Sequence, residues 1–409
     1  MKALAAGLAF VAAGLAQAQT GPPSVTFGGE GRLRYERFEN NEWGAARKPD
    51  EDYFRLRLLP YADLELGPRL RLFGQLQGAW STRDDELKNP FTDETGVDVV
   101  QAFLEVRVNG ITLRGGRQVL EYGVQRLISA GPNIRFAFDG ALARWERGGS
   151  RVDAFVLRPM TPRLDSFDDR TSRSEKLWAV YGTRAPWDFY YIGYENERAT
   201  YNAGAGEERR HTLGTRHAGR RESWSWDFEA NLQGGEFAGQ DIRAGSLDMA
   251  LRHTWSHLAR TPYVEARLNF ISGDKNRDDG RLGTFNPLFA TGQFFGDVGQ
   301  LGPMNLVNLR PNFGLQLGAA WRLSGALTFY WRNRLEDGIY GPARNLLRPD
   351  GGSRARYVGT QADIGLDKTV SRNLSLRFVY SLFEPGRFIE QTGPARTVHF
   401  VQANVVFKY

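Results

Sequence analysis

Apolar and polar residues alternate strictly over many short segments of this chain. In residues 223–233 every second position is apolar and the positions between them are polar; the apolar set is Trp224, Trp226, Phe228, Ala230 and Leu232. The segments 52–58 and 263–270 show the same period of two. This period is typical of β-strands that present one face to an apolar environment and the other to water. The chain is therefore predicted to be all-β.

Tracing the alternation from end to end predicts eighteen strands. They are 24–37, 52–66, 69–82, 98–108, 110–122, 134–147, 149–158, 176–184, 187–197, 209–219, 223–234, 241–257, 261–273, 310–322, 325–336, 354–368, 373–385 and 396–409. The pattern is weakest in 134–147, 176–184 and 209–219, so a count of sixteen is left open.

The connections between these strands alternate in length. Even-numbered connections include short turns at 67–68, 109–110, 148–149, 185–186 and 324–325. Odd-numbered connections are long and include 39–51, 83–97, 159–175, 274–309 and 337–353. Short periplasmic turns and long outer loops are typical of a transmembrane antiparallel β-barrel in the bacterial outer membrane. A barrel with this number of strands encloses an aqueous channel.

The two ends of the chain fit an exported barrel. Residues 1–18 combine Lys2, an apolar stretch and the small residues Ala16 and Ala18, which predicts a signal peptide followed by a single barrel domain over 19–409. The last strand alternates up to the aromatic Tyr409, a pattern that indicates recognition by the outer-membrane assembly machinery. The mean hydropathy of −0.46 is compatible with a barrel, because only every second residue faces lipid.

The charged face of the predicted strands is rich in arginine, and the formal net charge is +6. An arginine at the lipid midplane would cost about 2–4 kcal/mol, so this face is assigned to the lumen. The lumen arginines predicted in this way are Arg32, Arg34, Arg55, Arg57, Arg71, Arg107, Arg114, Arg252, Arg267, Arg332, Arg334 and Arg377. One interpretation is a cationic constriction that passes anions. The alternative is that these arginines pair with carboxylates on neighbouring strands and brace the wall.

The long connection 274–309 carries a candidate metal site. Asp274, Asn276 and Asp278 have the spacing of calcium-loop ligands, although Phe285 occupies the position of the glutamate that closes an EF-hand loop. Bound Ca²⁺ in the 274–280 segment is one expectation, and a turn rich in Asp and Asn is the other. The length of this connection predicts that it folds into the barrel mouth and narrows it.

Enzymatic chemistry finds little support in the sequence. Cysteine is absent, and the five histidines show no metalloprotease spacing. The acid pairs Asp168-Asp169 and Glu207-Glu208 fall in predicted exterior loops, where solvated carboxylates are expected. No basic run or reader motif indicates nucleic acid. The protein is therefore not expected to be an enzyme or to bind nucleic acid.

Two long segments resemble the alginate export family of outer-membrane proteins. One reads SGDKNRDDGRLGTFNPLF and continues to FFGDVGQLGPMNLVNLRPNF, and the other reads GGRQVLEYGVQRLISAGPNIRFAFDGALARW. The resemblance implies a monomeric eighteen-stranded barrel whose arginine-lined pore passes alginate, a polyuronate, without an energy source. It also implies that Arg117, Arg126, Arg135 and Asp139 lie near the constriction.

The leading hypothesis is an outer-membrane channel that passes an anionic, alginate-like polysaccharide through an electropositive lumen. The alternatives are a general or anion-selective porin for small solutes or oligosaccharides and a soluble secreted β-protein that acts on polysaccharide. Expected partners are the anionic solute, outer-membrane lipid and the assembly machinery. The expected contact residues are Arg55, Arg57, Arg114, Arg117, Arg126, Arg135, Asp139, Arg332 and Arg334.

Overall fold

The computed structural model describes residues 22–292 and 294–409, so the predicted signal peptide lies outside the described residues. Eighteen long strands form one antiparallel sheet. They are β1 Ser24–Glu39, β2 Glu51–Leu66, β3 Leu70–Ser81, β4 Thr95–Val108, β5 Ile111–Gln118, β6 Phe138–Arg147, β7 Ser150–Thr161, β8 Glu175–Arg184, β9 Trp187–Tyr201, β10 Gly204–Arg221, β11 Trp224–Phe237, β12 Gln240–Thr254, β13 Tyr263–Ile271, β14 Leu306–Gln316, β15 Trp321–Arg332, β16 Tyr357–Thr369, β17 Leu374–Pro385 and β18 Val398–Lys408.

The sheet closes on itself between its first and last strands. Each strand pairs with its neighbours in sequence, and β1 pairs with β18 from Glu30 opposite Lys408 to Glu39 opposite His399. Closure leaves neither the first nor the last strand as an open edge, which a structure that spans lipid requires. The predicted all-β barrel of eighteen strands is confirmed, and the count of sixteen is wrong.

The outer surface of the barrel is apolar. Leu213 and Leu232 expose 61% and 72% of their surface near the middle of β10 and β11. Their sequence neighbours Thr212 and Gln233 are polar and point to the inside of the barrel. This is the alternation that the sequence predicted, with apolar side chains toward lipid. Among the described residues, no helix is both long and apolar enough to cross a membrane.

Short elements occupy the connections. They are the helix Arg387–Thr392, the 3-10 turns Asn41–Gly44 and Asp85–Leu87, and the two- or three-residue strands Arg170–Thr171, Arg281–Leu282, Ile339–Tyr340 and Leu346–Arg348.

The turn between β14 and β15 differs from its predicted position. It lies at 317–320 and not at 324–325, so both strands start four residues earlier than expected and end six (β14) and four (β15) residues earlier. Ser324 and Gly325 instead pair with Gly314 and Phe313 inside the ladder. The turn forms where Gly318 takes a φ of +146°, which a side chain would disfavour.

The alternation of connection lengths holds with two exceptions. The ninth and eleventh connections, at 202–203 and 238–239, are two-residue turns, because β9–β12 continue beyond their predicted ends. Glu207-Glu208 therefore lies inside β10 and not in a solvated loop, and Glu208 is buried. All other odd-numbered connections are long, so one end of the barrel carries the long loops and the other the turns.

Candidate pore constriction

Two long loops meet inside the barrel. The loop 119–137 connects β5 to β6, and the loop 272–305 connects β13 to β14. They form a short parallel bridge between Ile128 and Phe289. The amide of Ser129 donates to the Phe289 carbonyl at 3.0 Å, and the amide of Phe289 donates to the Leu127 carbonyl at 2.9 Å. The two loops are therefore joined by their backbones.

Apolar contacts fix this pair of loops against the wall. Ile128 and Phe289 are buried, and the Phe289 ring meets Phe138 of β6 edge-on at 5.0 Å between ring centroids. Phe289 also meets Tyr194 of β9 at 6.0 Å. Burying large aromatic side chains in this way stabilises the loop position by a few kcal/mol. The expectation that the long connection folds inward and narrows the lumen agrees with this arrangement.

The lumen face of β1 and β2 carries arginines that oppose one another. Arg32 is the cross-strand partner of Arg57, and Arg34 is the partner of Arg55. Like charges at directly opposed positions destabilise a sheet. Glu36 offsets this repulsion for the second pair, because it lies 3.3 Å from Arg34 and 2.9 Å from Arg55. Among the described residues, the repulsion between Arg32 and Arg57 is offset only on the side of Arg57, which contacts Glu30.

The loop 119–137 docks on these arginines. Arg57 donates through Nη1 to the carbonyls of Pro132 and Asn133 at 3.2 and 3.0 Å, and its Nη2 contacts Glu30. Arg32 donates to the side-chain oxygen of Asn133. Arg57 is thus nearly fully buried and acts as an anchor for the loop.

Arg135 lies in the same loop, two residues after Asn133. Its backbone amide donates to Gln77 Oε1 of β3 at 3.1 Å. Within residues 22–292 and 294–409, no carboxylate lies at ion-pair distance from the guanidinium of Arg135 or of Arg32. Both side chains are partly exposed. Both guanidinium groups lie near Glu30 without forming an ion pair with it, because Glu30 is already bound by Arg57.

Arg55 has a different environment. It is paired with Glu36 at 2.9 Å and with Asp93 at 2.5 Å, and Asp93 is shared with Arg83. The contacts of Arg55 hold the connection 82–94 to the inside of β1 and β2. Its role in the structure is therefore mainly that of a brace.

Most other lumen arginines are also paired. Arg114 donates to Glu105 at 2.7 Å, and Arg71 makes two bonds of 2.8 Å to Asp63. Further pairs join Arg144 to Asp153, Arg216 to Asp188, Arg252 to Glu265, Arg310 to Asp363 and Arg377 to both Asp297 and Asp367. The bracing alternative therefore describes these residues. On β1 and β2 it also describes Arg34 and Arg55, which both pair with Glu36, and Arg57, which contacts Glu30, so Arg32 is the residue of this hairpin that differs from them.

Arg126 lies in the inward loop but faces acids. Its Nη1 donates to Asp227 at 3.2 Å and to Glu229 at 3.0 Å, and Asp248 lies 3.9 Å from its Nε. One guanidinium faces three carboxylates here, so this side of the lumen does not gain positive charge from Arg126.

Arg117 and Asp139 do not lie at the constriction that the resemblance implied. They are cross-strand partners joined by two hydrogen bonds of 2.8 and 3.0 Å. Asp139 shares its face of β6 with Ala141, which is exposed on the outer surface. Strand alternation therefore turns this pair outward, beneath the loop 162–174, where Thr171 also donates to Asp139 at 2.6 Å.

Arg332 and Arg334 also differ from their predicted lumen positions. Arg332 points inward but is fully buried at the end of β15, where its guanidinium donates to the carbonyls of Leu335, Asp337, Ser353 and Ala355. Arg334 lies beyond the strand in the connection 333–356 and is exposed. The reason is the earlier end of β15, which places both residues among the long loops.

The candidate calcium ligands are partly engaged within their own loop. Asn276 Oδ1 accepts the amide of Asp278 at 3.1 Å, and Asp274 Oδ1 accepts the amide of Gly283 at 3.1 Å. Burial raises the pKa of Asp274 to about 6. Its amide donates to Asp337 at 2.9 Å, which joins this loop to the connection 333–356. Calcium at Asp274, Asn276 and Asp278 stays a prediction.

A family model described as alginate export matches residues 24–404, nearly the whole chain. The chain belongs to the alginate export family. The resemblance seen in the sequence is thereby confirmed. No curated protein sequence matches this member of the family.

Solved outer-membrane structures share the fold. OpdK of Pseudomonas aeruginosa with vanillate is 11% identical with a TM-score of 0.63, covering 94% of this chain and 98% of that one. OccAB1 of Acinetobacter baumannii is 11% identical with a TM-score of 0.63, covering 94% and 96%. OccK2 (OpdF) of P. aeruginosa in complex with glucuronate is 9% identical with a TM-score of 0.62, covering 94% and 98%. At these identities the likeness shows the fold alone.

Family and fold together place the protein in the bacterial outer membrane as a channel-forming barrel. The long loops then face the cell exterior and the turns face the periplasm. The loops 119–137 and 272–305 enter the lumen from the outside. The sequence could not show that Arg32 and Arg135 lack an ion-pair partner, because this depends on the path of the loop 119–137.

Proposed function

We propose that this alginate-export protein passes uronate-containing, anionic saccharide passively, with Arg32 and Arg135 as its charge-selective contacts. The observation that carries the proposal is that neither guanidinium group has a carboxylate at ion-pair distance among the described residues. Arg32 also lies directly opposite Arg57 on the neighbouring strand. A carboxylate of the solute would supply the missing partner through charge-assisted hydrogen bonds. Such contacts are transient when the site remains open to water.

The small-solute porin is a second candidate function, and the inward loops favour it. The bridged loops 119–137 and 272–305 fill part of the lumen, which favours a short uronate over a long polymer. The solved structure of OccK2 (OpdF) contains glucuronate, and that of OpdK contains vanillate, both small carboxylates. The two candidates share the same contacts and differ in the length of the solute.

The test is the reversal potential of the purified barrel in a planar bilayer under a salt gradient, followed by addition of polyuronate to one side. We expect anion preference and current block by polyuronate, and no block by a neutral glucan of equal length. The double variant Arg32→Gln/Arg135→Gln should weaken the block about tenfold for each lost contact. Its anion preference should fall.

The matched control is Arg71→Gln, which removes a lumen arginine that is already paired with Asp63. This variant should leave the block nearly unchanged. Block by glucuronate or a short oligomer but not by polymer would favour the small-solute porin. Absence of both anion preference and block in the unmodified protein would contradict the proposal.

A further inference from the structure

The barrel wall has an interruption near its outer end. Strand β5 ends at Gln118, so its pairing with β4 reaches only Ala102 opposite Arg117. The outer part of β4 therefore lacks β5 as a neighbour. The loop 162–174 occupies this place, since the amide of Gly96 donates to the Leu164 carbonyl at 3.0 Å and the amide of Phe167 donates to the Val97 carbonyl at 3.0 Å.

Three carboxylates meet where this loop contacts β4. One oxygen from each of Asp98, Asp168 and Asp169 lies within 4.8 Å of the others. Asp98 exposes only 3% of its surface, and its Oδ2 is buried with no hydrogen-bond partner among the described residues. Asp168 Oδ1 is likewise buried without a partner. Backbone amides reach other oxygens of the cluster, since Asp98 Oδ1 accepts the amide of Asp169 at 3.4 Å and Asp169 Oδ1 accepts the amide of Arg163 at 2.7 Å. The two buried oxygens that lack a partner are ones that a cation would satisfy.

The surrounding protein supplies little compensating charge. The guanidinium of Arg117 attracts both Asp98 and Asp169 at longer range. It is already bound by Asp139 through two hydrogen bonds. In the described part of the chain, Asp98, Asp168 and Asp169 form no ion pair with any basic side chain. Bringing three carboxylates together without a countercharge is costly. A bound cation removes that cost.

We propose that Asp98, Asp168 and Asp169 form a Ca²⁺ site that fastens the loop 162–174 to β4 on the outside of the membrane. All the ligands are hard carboxylate oxygens, which suit Ca²⁺ or Mg²⁺. Two neighbouring residues of an irregular loop fit the irregular, larger coordination shell of Ca²⁺ better than the strict octahedron of Mg²⁺. Extracellular calcium modules bind in the range of about 10⁻⁴–10⁻³ M, and the same range is expected here.

The site has a structural consequence for the wall. Calcium would hold the loop over the place that β5 vacates, and so close the barrel above the Arg117–Asp139 pair. Without calcium, mutual repulsion of the carboxylates would loosen the loop. Arg163, Arg170 and Arg173 in this loop are exposed and would become better substrates for trypsin.

The first measurement follows trypsin cleavage in the loop 162–174 of the intact detergent-solubilised barrel, with fragments identified by mass. We expect at least tenfold slower cleavage after Arg163, Arg170 and Arg173 with CaCl₂ than with EDTA, and only weak protection by MgCl₂. Equal cleavage rates with calcium and EDTA would overturn the proposal without any variant being needed. Equal protection by both metals would overturn the assignment to calcium.

The second measurement is calorimetric titration of CaCl₂ into the EDTA-treated barrel. Asp168→Asn/Asp169→Asn should lose the binding heat, and the matched control Asp165→Asn, an exposed acid of the same loop, should keep it. Heat-dependent gel mobility verifies that each variant is folded. Full calcium binding by the double variant would place the ion elsewhere, for example at Asp274, and would refute this site.

Discussion

The position of an arginine relative to the loops decides what it does in this barrel. Arg114 and Arg71 lie on the open wall and are neutralised by carboxylates one strand away. Arg57 is buried beneath Pro132 and Asn133 and holds a loop. Arg32 contacts the same loop and Arg135 belongs to it, but neither has an acid at ion-pair distance among the described residues. Three roles thus come from one residue type.

Strand parity led to the prediction of which arginines of β2 and β5 face inward, and in the structure these lie on the face opposite to the exposed apolar residues. Arg55, Arg57 and Arg114 are examples, because a period of two fixes the side of each residue once the apolar face is known. Parity could not predict which of them are paired, since that depends on residues far along the chain. Asp93, for example, reaches Arg55 from the connection 82–94.

Arg332 provides the sharpest test at the residue scale. We expect Arg332→Leu to destabilise the barrel by about 3 kcal/mol or more, because four loop carbonyls, two of them in buried hydrogen bonds, would lose their charge-assisted donor. Its stacking on Phe388, at 4.0 Å from the ring centroid, would also be lost. The measurement is the midpoint of thermal unfolding in detergent, followed by heat-dependent gel mobility.

Arg334→Gln is the matched control for that variant. Arg334 is exposed two residues farther along, so its removal should change the free energy of unfolding by less than about 0.5 kcal/mol. Equal midpoints for the two variants would show that the loop carbonyls find other partners, most simply water, and that Arg332 is not an anchor.

At the scale of elements, hairpins were more predictable than loops. Turns such as 109–110 and 148–149 follow from local sequence, because Asn-Gly and Gly-Gly adopt the required positive φ values. The shift of the β14–β15 turn shows the limit of this reasoning, because Ser324-Gly325 is also a plausible turn. Gly325 is used instead to leave room for the ring of Phe313.

The contact between the loops 119–137 and 272–305 could not be read from the sequence. The residues that join them, such as Ser129 and Phe289, are 160 positions apart. Neither loop shows a period that would mark it as an interior element. Only the length of 272–305 indicated that it is more than a connector.

Removing the inner loop tests its role in setting the width of the channel. Replacing residues 284–303 by a short Gly-Ser linker should raise the single-channel conductance several-fold, because the loop is held inside the barrel by the Ile128–Phe289 bridge and by Asp297 at Arg377. The unchanged wall should keep the variant folded. Unchanged conductance would mean that current passes by a route the loop does not narrow.

For the molecule as a whole, the sequence predicted the architecture well because closure and lipid exposure act on every strand. Each of the eighteen strands must pair with two neighbours and must alternate between apolar and polar residues. The positions of neighbouring strands therefore limit the position that can be assigned to any one strand. The interior is different, since the wall can enclose loops that follow many paths. The fold was therefore predictable to within a few residues, and the detailed constriction was not.

The assignment of the outer face to lipid makes a final prediction about the entire barrel. Leu213 lies near the middle of β10 and exposes 61% of its surface on the outer face. Leu213→Arg should destabilise the folded protein in a bilayer by about 2–4 kcal/mol, because a guanidinium at the midplane loses its hydration. The measurement is the free energy of reversible unfolding in lipid vesicles. Leu213→Ala should cost much less, since it removes apolar contact without adding charge, and equal costs for the two variants would place this face in water.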